Sequence, residues 1–152
     1  MLKAILYTLG TALLPVLEIR GAIPVGIANG LSPWLSYAIG VVGNMLPIPF
    51  LILLTRHILA WLRKHNILVK FTLWLERKGR EKAKTVQLYS FWGLLILVAI
   101  PLPGTGAWTG ALVAAMLEIR LKKAIPLIAL GVLTAGIVML CISYGAGVLF
   151  RP

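Results

Sequence analysis

The chain has 152 residues, 60% of them hydrophobic and only 12% charged, with a mean hydropathy of +0.96. A soluble domain carries about 25% charge, so too little polar surface remains to clothe a water-soluble globule, and the chain reads as a single-domain integral membrane protein. The net charge of +11 would point to nucleic acid in a soluble protein. Here most of the base sits in one block, Arg56 to Lys84, between apolar stretches, which is a juxtamembrane pattern.

From the N-terminus, Lys3 precedes an apolar run from Ala4 to Leu14. No small-x-small cleavage site follows, so the run reads as retained structure and not as a secretory signal. An elbow, Leu14-Pro15-Val16-Leu17-Glu18-Ile19-Arg20, leads into a second short apolar stretch, Gly21 to Ala28. After the polar turn Asn29 to Pro33 comes a charge-free stretch from about Trp34 to Thr55, carrying Pro47 and Pro49. That length suits a bilayer span, which takes about 20 apolar residues.

The basic middle follows. Between Ile58 and Leu75 it mixes Trp61, Leu62, Leu68, Phe71, Trp74 and Leu75 with Arg63, Lys64 and Lys70, the pattern of an amphipathic helix lying in the interface. Two more short apolar stretches, Tyr89 to Ile100 and Ala107 to Leu117, flank a second elbow, Ile100-Pro101-Leu102-Pro103-Gly104-Thr105-Gly106. A basic turn, Glu118 to Lys123, precedes the second full span, Ala124 to Phe150. Trp34 and Tyr37 suit an outer aromatic belt, and Trp61, Trp74, Tyr89 and Trp92 an inner one.

Short stretch, elbow, short stretch and span thus occur twice. Setting Pro15 against Pro103 brings Gly43 against Gly131 and Gly26 against Ala114. The tetrapeptide Leu-Glu-Ile-Arg, at 17–20 and 117–120, is out of register with that repeat and reads as coincidence. Basic flanks on both sides of the second pair of short stretches want the cytoplasmic face. The pair then enters and returns as a re-entrant hairpin, the first pair does so from outside, and both termini lie outside. The expected fold is all-α: two inverted repeats, each a re-entrant hairpin plus one transmembrane helix. Repeat one covers 1–57, a cytoplasmic amphipathic linker 58–86, and repeat two 87–152.

Irregular backbone at membrane depth must be buried in protein or line a wet cavity, so the two elbows are expected to meet near the midplane. Pro15, Pro24, Pro101, Pro103, Gly104 and Gly106 supply the elbow backbone. Glu18 and Arg20 are the strongest chemical signal, because charge inside a membrane costs about 2.5–3.5 kcal/mol on insertion scales. Two readings of them stand: Arg20 binds an anionic group while Glu18 carries a proton, or the two form a structural ion pair closing the hairpin. Two residues apart they pair poorly on a helix face, but in an extended elbow they can approach, or each can reach the opposite elbow. Thr105 and Thr109 are the polar side chains of the second elbow, and a helix starting near Ala107 would aim N–H groups at a phosphate or carboxylate. Asn44 either lines the cavity or bonds a neighbouring helix. Gly26-x-x-x-Gly30 and Gly106-x-x-x-Gly110 read as close-packing sites, His57 and His65 as interfacial, and Cys141 as a packing residue. No metal site, cofactor or catalytic residue is expected.

Leu14-Pro-Val-Leu-Glu-Ile-Arg-Gly-Ala-Ile-Pro24 and Ile100-Pro-Leu-Pro-Gly-Thr-Gly-Ala-Trp-Thr-Gly110 resemble the small multidrug export protein family over nearly the whole chain. That family is similar in plan to the DedA, or SNARE-associated, superfamily of lipid-moving proteins. The resemblance implies twin re-entrant hairpins, proton coupling with Glu18 as the acidic residue of the first hairpin, and a prokaryotic plasma membrane location. The superfamily's second hairpin usually carries arginines, whereas Val98 to Thr105 has none. The expected function is a small secondary transporter or lipid flippase, moving an anionic lipid or small amphiphile between the elbows. The alternative is a non-catalytic scaffold whose basic helix binds anionic lipid or a partner. Two full spans enclose little, so a dimer or larger homo-oligomer is expected, with membrane lipids as partners and no nucleic acid.

Overall fold

The computed structural model describes residues 1–65, 83–100 and 105–149. Every regular element among them is an α-helix: α1 (Leu2–Leu13), α2 (Glu18–Ala28), α3 (Pro33–Met45), α4 (Ile48–Lys64), α5 (Ala83–Ala99), α6 (Ala107–Met116) and α7 (Leu121–Leu149). The elbow prolines Pro101 and Pro103, Gly104, and the greater part of the amphipathic segment lie outside the described residues.

Two stretches are long and apolar enough to cross a membrane, Pro33–Leu62 and Leu121–Gly145. The first is a broken helix. Pro47 and Pro49 cannot donate backbone N–H groups toward Gly43 and Met45, and the chain passes through Leu46-Pro47 as a turn between α3 and α4. It also runs past the expected end at Thr55. Ile58 to Lys64 complete α4, so the boundary drawn at residue 57 falls inside a helix. By contrast α1, α2 and α6 have 12, 11 and 10 residues. At 1.5 Å per residue they rise roughly 15–18 Å, about half a hydrocarbon core.

The first elbow is shorter than the sequence implies. Only Leu14 to Leu17 lie between α1 and α2, and Glu18 opens α2, so Glu18 and Arg20 stand on a helical first turn. Proline favours the start of a helix because its N–H is not needed there, and Pro15 lets the chain turn early. Pro24, expected in the elbow backbone, lies inside α2 instead. There its missing N–H leaves the Arg20 carbonyl without its usual partner.

Helices α1, α2 and α3 pack on one another; α5 and α6 pack on α7, α4 packs on α6, and α2 and α3 also pack on α7. The core at that junction holds Ile19 and Ile23 of α2, Ile52 of α4, Val98 of α5 and Ile128 of α7, against a buried alanine face of α6 (Ala107, Ala111, Ala114, Ala115). Small side chains there let backbones approach closely. Gly26, near Thr8 and Ser36, and Gly110, against Val98, do the same.

Trp34, Phe50, Trp61, Trp92 and Tyr144 are each more than half exposed. So broad an apolar surface suits lipid better than water. The Tyr37 hydroxyl donates to the Leu133 carbonyl of α7 at 3.2 Å, joining the two long stretches.

α2 and α6 end alike. Leu31 N–H donates to the Gly26 carbonyl and Gly30 N–H to Ile27; Ile119 N–H donates to Ala114 and Glu118 N–H to Ala115. Each is a Schellman cap with a left-handed residue past the helix, Gly30 at φ +85° and Glu118 at φ +54°. Open space surrounds Gly30, so it serves the cap's conformation and not helix packing. Glu118 holds the equivalent place at a backbone cost of about 1–2 kcal/mol.

Candidate functional site

The two elbows meet through side chains of α2. Glu18 is only 4% exposed, and its carboxylate sits on the N-terminus of α6. Ala107 N–H donates to Oε2 at 3.2 Å and Trp108 N–H to Oε1 at 3.1 Å. A helix start carries unpaired N–H groups and a partial positive charge, so it binds a carboxylate well. The anion expected at this helix start is the protein's own. Glu18 adopts φ +49°, a conformation rare for a residue with a Cβ, and the two N–H donors hold it there.

Gly106 makes this approach feasible. At φ +143°, a Cβ there would lie 2.0 Å from Glu18 Oε2. Thus Gly106, expected to pack a helix, instead clears room for a carboxylate.

Arg20 reaches the other end of the same elbow. Its Nη2 donates to the Ile100 carbonyl and to Thr105 Oγ1, both at 3.0 Å, and the Thr105 hydroxyl donates to the Ile100 carbonyl at 2.9 Å. Of the arrangements open to the pair, the structure shows each side chain reaching the opposite elbow. Thr109 is half-buried in the first turn of α6, and Pro15 is exposed.

Asn44, near the end of α3, is fully buried and its side chain stands beside the Glu18 carboxylate. Among the described residues the buried Trp108 indole N–H has no hydrogen-bond partner. Trp108 was not among the sequence candidates. Its contribution is backbone, which its side-chain type does not signal.

Among the described residues no group of three or more His, Cys, Asp or Glu is placed to hold a metal ion. Cys141 is exposed, not packed as the sequence suggested: it lies on the outward face of α7.

A family model described as "Putative small multi-drug export protein" matches residues 18–138. The chain belongs to this family. The match opens at Glu18 and takes in Arg20, Asn44, Thr105 and Thr109. No curated protein and no solved structure matches the chain. The family and the two long apolar stretches together point to a membrane protein.

Proposed function

We propose that the protein is a small secondary transporter of amphiphilic molecules, with its site where the Glu18 and Arg20 side chains meet the second elbow. The observation carrying this is a buried carboxylate on the start of α6, with the buried amide of Asn44 beside it and Arg20 reaching the same elbow. Charge buried at such cost usually marks a pathway.

The chemistry is an exchange. Protonating Glu18 weakens its hold on two N–H donors, and so does a permeant that competes for it. Either event loosens the elbows. A cationic amphiphile would take Glu18 as its counter-charge. An anionic one, such as a lipid phosphate, would take the α6 N-terminus and Arg20. Lipid flipping is this same scheme with a lipid as cargo.

Two inverted repeats, each a re-entrant hairpin and a span, give the architecture. Short α1, α2 and α6 support that plan, as do matching caps at Gly30 and Glu118, which fall opposite each other when Pro15 is set against Pro103. The DedA-like plan, a plasma membrane location, a cytoplasmic basic region, outward termini and a homo-oligomer belong to the same reading.

A second reading is a scaffold in which Glu18 is a permanent latch. The 4% exposure of Glu18 favours it. Proteoliposomes given fluorescent lipid phosphates or cationic dyes separate the two. Wild type is compared with Glu18→Gln, Arg20→Ala and Asn44→Leu, each first shown to insert as a monodisperse folded protein. Asn44→Leu removes the amide beside Glu18 at similar volume, so transport is expected to fall at least tenfold in a protein that still folds. If wild type moves no substrate, or the folded variants match it, the latch reading replaces the transporter.

A further inference from the structure

A cavity of about 300 Å³ opens well away from the elbows, lined by Arg56, Leu59 and Ala60 of α4, Ala115 of α6, and Glu118. Positions 56, 59 and 60 are three and four apart, so they share one face of α4. The lining therefore presents one cation, one anion and an apolar wall. We propose that this cavity binds a zwitterionic amphiphile headgroup, with its phosphate on Arg56 and its primary ammonium on Glu118.

Arg56 is held in place for such a role. Its Nη2 donates to the Ile119 carbonyl, which ties α4 to the junction between α6 and α7. Its buried Nε has no hydrogen-bond partner among the described residues, which leaves a donor for an incoming phosphate. Guanidinium suits that group because its fork of N–H donors matches phosphate oxygens.

Glu118 supplies the second contact. A left-handed cap position favours glycine, and the equivalent cap of α2 has Gly30 there. Keeping a carboxylate at φ +54° is a strain more readily explained by function than by folding. The carboxylate has about four acceptor sites, so it can serve an ammonium alongside other contacts. It also lies at the C-terminal end of α6, whose partial negative charge favours a cation. Leu59, Ala60 and Ala115 offer a surface to the first carbons of a chain. Arg120, Lys122 and Lys123 beside the cavity are exposed and draw phosphate of any kind, whereas Glu118 distinguishes a zwitterion from a purely anionic headgroup.

The proposal does not depend on transport. The full-length protein, purified in a neutral detergent, is titrated with short-chain phosphatidylethanolamine, phosphatidylglycerol, soluble phosphoethanolamine and inorganic phosphate, following Tm and affinity. The phosphatidylethanolamine is expected to raise Tm and to bind at least tenfold more tightly than phosphatidylglycerol. A lipid source predicts weak binding of soluble phosphoethanolamine; equal binding of the soluble compound assigns the same cavity to a free metabolite.

Glu118→Gly suits the backbone at that position and should fold at least as well as wild type. It is expected to lose the preference between the two lipids, and Arg56→Lys to weaken both. Equal binding of the two lipids by wild type, or an unchanged preference in Glu118→Gly, overturns the proposal.

Discussion

Gly106 and Glu18 form a matched pair, and their coupling can be measured. A Cβ at Gly106 would meet both carboxylate oxygens, at 2.0 and 2.7 Å, so the Glu18 side chain would have to swing off the α6 N-terminus to make room. Gly106→Ala should cost about 2–4 kcal/mol, combining overpacking with a backbone conformation disfavoured for alanine. In a Glu18→Ala background the steric part disappears and only the backbone part remains. A double-mutant cycle read by denaturation in mild detergent should therefore give a coupling of about 1–3 kcal/mol. Additive effects would mean the carboxylate does not rest on the α6 N-terminus. Glu18 was legible as a charge in the wrong solvent, and the α6 N-terminus was legible as an anion site. That one fills the other was not, because it depends on two residues far apart in sequence becoming neighbours.

At the scale of the element, the break between α3 and α4 follows directly from two prolines. It comes just after Asn44, so it frees carbonyls beside that buried amide. Replacing Pro47 and Pro49 with alanine restores two N–H donors. The double variant should gain helix content by circular dichroism and raise Tm, since helix-interior proline costs about 3 kcal/mol. If the break is part of the transport cycle, that variant is also slower in the liposome assay. Element boundaries were less legible than elements. Hydropathy locates apolar runs, but a run does not show where a helix starts. Glu18 and Arg20 read as elbow because the apolar stretch begins only at Gly21, yet α2 starts at Glu18, with both side chains partnered on the second elbow. Pro24 likewise read as elbow and proved helical, because tertiary packing outweighs its local preference.

For the whole molecule, the chain's single cysteine makes topology testable. Cys141 is exposed, so a Cys141→Ser background is needed before new cysteines are placed at Lys3, Lys64 and Lys123. The proposed orientation predicts that a membrane-impermeant maleimide labels Lys3→Cys in intact cells. Lys64→Cys and Lys123→Cys should react only after lysis. Labelling all three from outside would remove the inverted-repeat reading. The hydrogen bond from Arg56 to the Ile119 carbonyl sets the end of the first long stretch against the turn before the second.

The sequence by itself determined the solvent, the helical class, the two long stretches, the family motifs and the two charged residues worth asking about. These follow from composition and local pattern, which need no knowledge of which segments touch. Only the tertiary structure decided what the charges bind. It showed Glu18 capping α6, Arg20 tied to Ile100 and Thr105, Asn44 buried beside Glu18, and a charged cavity at Arg56 and Glu118 that no motif announced. Each of these is a contact between distant segments. Its energy comes from removing both groups from solvent together, and one-dimensional pattern does not record that.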